Sequence, residues 1–258
     1  MKLVERSGKL IVFENDIEIF RFSQWQRGKK KVTGKLEKFS GKEKSMLALL
    51  KDLKRLIEEE YSVRKLELNL GKYHFDDQRF EDIAICNRGV MQLNLNKYEP
   101  DNRISKTLGD HKTLELTTLK NHINDIFNGT PEFDKTYMGV KNPKELYEVY
   151  ERAILEEEFG TLNPELSFEL INPFRGFVIS IDLMDKKNNF LIGDLLVLPE
   201  HRNKGLGTAL IKRVLNGGKK EGYSKTMLAV TLENPALKIY KKLGFRFIAR
   251  TTLLLVNN

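Results

Sequence analysis

The chain has 258 residues, 40% hydrophobic and 31% charged, and its 44 Lys and Arg against 36 Asp and Glu give a formal net charge of +8. That length supports one large or two small domains, no stretch approaches the roughly 18 uninterrupted apolar residues of a membrane span, and the single cysteine, Cys86, excludes an internal disulfide and any cysteine-built metal site. The start Met1-Lys2-Leu3-Val4-Glu5-Arg6 carries charge too early for a secretory signal, so a cytoplasmic location without a membrane is expected, and the basic excess, spread over both halves, favours anionic small ligands over nucleic acid.

Leu10-Ile11-Val12-Phe13 and Ile17 to Phe22, joined by Glu14-Asn15-Asp16, predict a β meander. The basic run Arg27-Gly28-Lys29-Lys30-Lys31 reads as the solvated tip of the next hairpin, with a substrate or RNA contact as the alternative. Behind Gly41, the spacing of Met46, Leu47, Leu49, Leu50, Leu53, Leu56 and Ile57 predicts a helix. Val63, Leu66, Leu68 and Leu70 predict a strand, residues 76–86 a helix, and residues 90–95 another strand. Pro100, Asp101, Asn102 and Gly109 mark a breaker-rich stretch, and a short helix over 114–127 ends at Gly129-Thr130-Pro131. The domain boundary is placed there, giving domains 1–130 and 134–258.

Asn142-Pro143 opens an amphipathic helix bearing Leu146, Tyr147, Tyr150 and Ile154, followed by strands over 166–170, 176–183 and 190–198. Residues 205–215 form a helix stopped by Gly217-Gly218, 226–231 a strand, 235–243 a helix stopped by Gly244, and 245–256 a strand. The helix, strand, glycine order of the first half resembles that of the second. From helix start to strand the spacings are 25 (Gly41 to Leu66) and 23 (Gly205 to Leu228), whereas strand to glycine is 19 (Leu70 to Gly89) against 13 (Thr231 to Gly244). An internal duplication is the reading weighed against chance recurrence in an α/β chain.

The segment from Asp194 to Leu210 carries the chemistry: a buried strand, Leu195-Leu196-Val197, runs through Arg202-Asn203-Lys204-Gly205-Leu206-Gly207 into an amphipathic helix that continues with Thr208. Two glycines spaced by one residue at a helix start let successive N–H groups converge where the helix dipole favours an anion, which makes a phosphate site. Arg202 and Lys204 add positive charge. The spacing matches neither Gly-x-Gly-x-x-Gly nor Gly-x-x-x-x-Gly-Lys-Ser/Thr. His74, Asp76 and Asp77 read as a polar helix start rather than a metal set. His201 is expected beside the turn, and Cys86 as a buried, inert residue on a helix.

The run Val197-x-Pro199-x-x-Arg202-x-x-Gly205-x-Gly207 resembles the central motif of the GNAT N-acetyltransferase superfamily, and Ala236, Tyr240, Lys242, Leu243, Gly244 and Phe245 resemble its second cofactor motif. The resemblance covers about residues 134–258, with Tyr137-Met138-Gly139-Val140 as the family's first strand. It implies an α/β fold with a GNAT-like mixed central sheet flanked by helices, here as two tandem GNAT-like domains, the first degenerate because Leu36 to Lys42 lacks the paired glycines. It also implies an acyltransferase that moves acetyl from acetyl-CoA to an amine, a small molecule or a protein amine, by direct attack and without a metal; the resemblance allows a homodimer. Transfer from another acyl-CoA or an aminoacyl donor, or a non-catalytic acetyl-CoA sensor, are the alternatives. By the resemblance the pantetheine pairs with Leu195, Leu196 and Val197 as an added strand. The diphosphate lies on amides from Asn203 to Thr208, with Asn234 a further cofactor contact six residues before Tyr240, where the family's usual seven falls on Glu233, and a strand amide polarises the thioester. Tyr240 is the proton donor to the departing thiolate. Asp194, Glu233 or a water chain would take the acceptor's proton, Ala229 standing where some relatives have glutamate. Glu156-Glu157-Glu158 reads as a solvated helix end or as an attraction for a cationic amine.

Overall fold

The computed structural model describes residues 1–27, 31–61, 65–70, 84–101, 104–157, 160–183 and 188–255. Met1–Arg88 with Arg250–Asn258 form one compact unit and Gly89–Ala249 the other. No helix among the described residues is long and apolar enough to cross a membrane.

In the first unit, β1 (Lys2–Arg6), β2 (Lys9–Glu14), β3 (Ile17–Arg27) and β4 (Lys31–Phe39) are successive antiparallel neighbours, the meander that the alternation predicts. Asn15 and Asp16 both turn at positive φ, the conformation a tight hairpin needs and these two residue types tolerate. Leu10, Val12, Phe20 and Phe22 are fully buried and share one core with Met46, Leu50, Leu53 and Ile57 of α1 (Glu43–Tyr61). The helix crosses over to β5 (Lys65–Asn69), which lies parallel to β4. Residues 253–255 of the final strand pair antiparallel with β5, so the end of the chain completes this sheet.

β6 (Ala84–Asn94) is one long strand, where the sequence suggested a helix reaching Cys86 and a separate strand from Val90. The burial of Gly89, Met91 and Leu93 with less buried residues between them shows a period of two along this stretch. Cys86 is buried, on a strand and not on a helix. The rest of the expected helix, His74, Asp76 and Asp77, and the Gly28-Lys29-Lys30 tip lie outside the described residues.

The second unit continues through α2 (Ser105–Leu108), β7 (His111–Thr113), α3 (Leu116–Asn121), α4 (Ile123–Gly129), α5 (Glu132–Met138) and α6 (Pro143–Leu155). Then come β8 (Thr161–Leu162), β9 (Phe168–Leu170), β10 (Gly176–Asp182), β11 (Asn189–Val197), α7 (Leu206–Lys220), β12 (Lys225–Thr231), α8 (Leu237–Lys242) and β13 (Arg246–Leu255). Its strand order is β6-β12-β11-β10-β9-β7, with β11 and β12 parallel and β10 antiparallel to its neighbours. The compact units divide between Arg88 and Gly89, and Gly129-Thr130-Pro131 lies within the second of them. Leu95, Tyr98 and Leu108 share a core with Val178, Leu210 and Val214, and Leu114, Leu119 and Ile126 share another with Tyr150 and Phe177. The breaker-rich stretch thus lies inside the second unit.

Two further expectations are corrected. Tyr137 and Met138 close α5 rather than forming a strand, with Gly139 at φ 70° and Val140 N–H donating to Lys135 O at 3.0 Å, a Schellman closure. Gly217 and Gly218 do not stop α7, which continues to Lys220. A Cβ on Gly218 would stand 2.5 Å from the Phe190 ring and one on Gly217 2.6 Å from Leu166, so these glycines let the helix approach the sheet. Asn142 caps α6 as expected, its Oδ1 accepting from Glu145 N–H at 3.0 Å.

Tyr98 anchors the loop after β6 to α7: its hydroxyl donates to Asn216 Oδ1 at 3.0 Å, while Lys212 Nζ meets Asp101 Oδ2 at 2.7 Å. Burial, and secondarily the Asp101 charge, pushes the phenol up to about 12. A raised folded-state pKa gives stability that is fully present below the ordinary tyrosine range near 10 and is lost as pH rises toward 12. Between pH 10 and 12 the urea midpoint of the wild type is therefore expected to fall more steeply than that of Tyr98→Phe; equal slopes would remove this role.

Candidate active site

The site is built on a fork in the sheet. β11 pairs with β10 along its length, with Gly193 as an extra residue where the register shifts between Ile179 and Ser180. On its other side β11 pairs with β12 only from Asn189↔Lys225 to Ile192↔Leu228, although β11 runs to Val197 and β12 to Thr231. Past the bulge the parallel pairing ends and each strand has an open edge. Leu198 N–H donates to Arg175 O at 2.9 Å on the β10 side. By alternation Leu196 also faces β10, while Leu195 and Val197 turn their backbone groups to the open edge. Asp194 Oδ1 accepts from Leu195 N–H at 2.7 Å and Arg202 Nε donates to Val197 O at 2.9 Å, leaving Leu195 C=O and Val197 N–H on that edge.

Beyond β11 a 3₁₀ turn over Pro199–His201 leads through Asn203 at φ 61° and Gly205 at φ 83° into α7. Gly205 holds a left-handed conformation that suits glycine. Gly207 has no such need, since its φ is not positive and a Cβ there would meet nothing nearer than Val197 Cγ2 at 3.9 Å. Glycine in a helix costs about 1 kcal/mol against alanine, so neither conformation nor protein packing accounts for it. The first helical bond, from Ala209 N–H to Gly205 O at 3.0 Å, leaves the preceding amides without intrahelical acceptors. The helix start presents N–H groups, the positive end of the dipole and open space, which fits a phosphate group.

Arg202 is not aimed at that space. Its guanidinium donates to Gly129 O as well as Val197 O, tying α4 to the turn, and Lys204 Nζ donates to Glu200 O at 3.0 Å. Arg202→Ala is expected to lower unfolding free energy by about 1.5–3 kcal/mol, the range for hydrogen bonds to a charged group. Lys204→Ala, on an exposed side chain, is expected to stay within about 0.5 kcal/mol. Matched thermal midpoints of the two variants would contradict the bracing role. Thr107 of α2, which the sequence reading did not single out, is the protein group nearest to a Cβ on Gly205, at 3.8 Å.

Two carboxylates and two phenols lie near the fork, Asp194 on β11 itself and Asp134 beside β12. Tyr150 donates to Asp194 Oδ2 at 2.7 Å. Asp134 of α5 accepts from Thr231 Oγ1 at 3.1 Å and from Asn234 Nδ2 at 3.4 Å, and Asn234 Oδ1 accepts from Ala236 N–H at 2.9 Å, fixing the start of α8. Asn234 is therefore engaged at the helix start and with Asp134. Tyr240 is buried on α8 with its ring edge-on to Phe245 at 5.9 Å. Burial first, then the Asp194 and Asp134 charges, hold its hydroxyl well above the ordinary phenol range, and the same causes act on Tyr150. Glu233 is exposed, and Ala229 is an exposed residue within β12. His201 lies on the turn with Nε2 3.8 Å from Glu200. Glu156 and Glu157 end α6 as exposed residues, and Glu158 lies outside the described residues. The sequence reading gave no role to Asp134, Thr231 or, beyond its helix face, Tyr150.

A mixed sheet flanked by helices is thus forked at a bulge, with a glycine turn on one arm and a buried phenol beside the other. Residues 131–245 match the acetyltransferase (GNAT) family, and this part of the chain is a GNAT domain. The chain is also 38% identical over 66 residues to an uncharacterized N-acetyltransferase of Methanocaldococcus jannaschii, a match spanning 25% of this chain and 29% of that protein. Among solved structures, a GCN5-related N-acetyltransferase from Sphaerobacter thermophilus aligns with a TM-score of 0.58 at 12% identity, covering 96% of this chain and 80% of the other. A functionally unknown conserved protein from Staphylococcus epidermidis aligns with a TM-score of 0.53 at 14% identity, covering 99% and 93%. These structural likenesses concern the fold.

Proposed function

We propose that the second unit transfers an acetyl group from acetyl-CoA to a primary amine by direct attack within a ternary complex. The observation that carries this reading is Gly207, a helical glycine whose missing side chain serves no contact within the protein and leaves the amides at the start of α7 open to a diphosphate. Acetyl-CoA supplies the activated thioester. Amides between Asn203 and Thr208 hold the diphosphate, and Leu195 C=O and Val197 N–H pair with the pantetheine as a neighbouring strand would. Arg202 braces the turn, and Asn234 sets the start of α8. Tyr240, protonated at pH 7, gives its proton to the departing thiolate; a donor must hold that proton until the C–S bond breaks. Asp194, fixed by Tyr150 and Leu195 N–H, takes the proton that the attacking amine loses, which restores the Tyr240 phenol once CoA has left.

The first unit supports a tandem arrangement with a single cofactor site. Its β4, α1 and parallel β5 repeat the order of β11, α7 and parallel β12. At the equivalent turn, a Cβ on Gly41 would stand 2.7 Å from the Phe39 ring, so a side chain already occupies the space that is open beside Gly205. Calorimetric titration with acetyl-CoA is expected to give one site per chain. No heat, or two equivalent sites, contradicts this assignment.

A further inference from the structure

α2 has four residues, too few for a helix to hold itself together, yet it is bound on three sides. Leu108 is 1% exposed and shares a core with Leu206 and Leu210 of α7, with Ile104 packed against it. Ahead of the helix, Asp101 Oδ2 accepts from Lys212 Nζ at 2.7 Å and Asp101 O from Asn216 Nδ2 at 3.0 Å, so α7 also holds the approach to it. At its end Arg175 Nη2 donates to Leu108 O at 2.7 Å, and Arg175 O accepts from Leu198 N–H at 2.9 Å, where β11 runs into the glycine turn. α2 is thereby fixed to both parts of the cradle, the end of β11 and the start of α7. It lies ahead of residues 131–245, the segment that matches the family, so membership of the family does not account for it.

The side of α2 next to the cradle suits an anion. Thr107 is exposed, and its Cγ2 stands 3.8 Å from the position of a Cβ on Gly205, the glycine from which α7 starts. Its hydroxyl is carried on the same Cβ as that methyl, a staggered change of χ1 exchanges the two, and no other described residue engages it. The Arg175 guanidinium enters no ion pair among the described residues, and its buried Nε has no acceptor. Arg202 and Lys204, the cations of the turn itself, direct donors to the carbonyls of Val197, Gly129 and Glu200 instead.

Resting on the acetyl-CoA reading, we propose that α2 is a wall of the cofactor site and that the Thr107 hydroxyl donates to a diphosphate oxygen of the bound CoA. The amides at the start of α7 approach the diphosphate from the helix alone. A hydroxyl on α2 meets it from beside Gly205, and a hydrogen bond to a charged oxygen is stronger than one to a neutral acceptor. Arg175 is a positioning residue: it holds α2 against the end of β11, and its unpaired charge makes this end of the site more favourable to an anion.

The test is calorimetric titration of the wild type, Thr107→Val and Thr107→Ser with acetyl-CoA and with dephospho-CoA, which keeps the diphosphate and lacks the 3′-phosphate. Valine keeps the branched shape and loses only the hydroxyl, so the melting midpoint of Thr107→Val is expected within about 2 °C of the wild type. Thr107→Val is expected to weaken both ligands by the same factor, about tenfold, and Thr107→Ser to stay within about threefold of the wild type. Wild-type affinity in Thr107→Val overturns the proposal, as does a loss in Thr107→Ser equal to that in Thr107→Val. A loss confined to acetyl-CoA also overturns it, because the hydroxyl would then serve the 3′-phosphate. A wild type that binds neither ligand removes the cofactor reading and the proposal with it, whereas wild-type binding indifferent to Thr107 removes the proposal alone.

Discussion

Replacing Gly205 by glutamate is expected to abolish acetyl-CoA binding while the protein stays folded. The substitution places a negative charge at the helix start that receives the diphosphate, and a loss of at least about 100-fold in affinity corresponds to about 2.7 kcal/mol. The fold has room for the change, since a Cβ at Gly205 meets only Thr107 Cγ2 at 3.8 Å. The remaining cost is the left-handed backbone at φ 83°, about 1–2 kcal/mol for a residue with a side chain. Gly205→Asn, which tolerates that conformation without adding charge, separates the two effects: it is expected to melt close to Gly205→Glu and yet keep measurable binding. Calorimetry on both variants, with thermal melts as control, checks this, and wild-type affinity in Gly205→Glu refutes the cradle.

Tyr240→Phe is expected to lower kcat by about 10²- to 10⁴-fold, the range for loss of a positioned proton donor, with acetyl-CoA affinity unchanged. The ring that packs edge-on to Phe245 at 5.9 Å remains, so the change removes only the hydroxyl. Burial and the Asp194 and Asp134 charges raise the phenol above its ordinary value, so its ionisation does not limit the wild-type rate below about pH 10. A variant that loses acetyl-CoA binding instead of turnover would make Tyr240 a packing residue; one that keeps full kcat would remove it from the chemistry.

What the sequence made legible follows periodicity and glycine chemistry. The meander, α1, and the order from β9 to β13 announce themselves because one face of each element is apolar, and the Gly205 turn because two glycines interrupt an otherwise regular strand and helix. The misread places are those where a local signal meets tertiary packing. Gly217 and Gly218 look like a helix stop, yet they are glycines because Leu166 and Phe190 press against α7. Gly129-Thr130-Pro131 looks like a linker, yet Gly129 O is a hydrogen-bond partner of Arg202 and the helices before it are buried in the second unit's core. Arg202 looks like a phosphate ligand because only its charge is visible in sequence; its direction is set by the carbonyls of Val197 and Gly129. Asp134 carried no signal, since no spacing rule links it to Thr231 and Asn234, which it meets only through the fold.

The most direct test of acetyl transfer at the β11–α7 turn is thiol release. Purified protein is mixed with acetyl-CoA and a panel of primary amines, and free CoA is followed against an amine-free blank and against Gly205→Glu. Amine-dependent release well above the blank in the wild type, lost in Gly205→Glu, is the expected result. Acetyl-CoA binding by calorimetry with no amine raising release above the blank contradicts the transfer assignment and leaves a binding protein in its place.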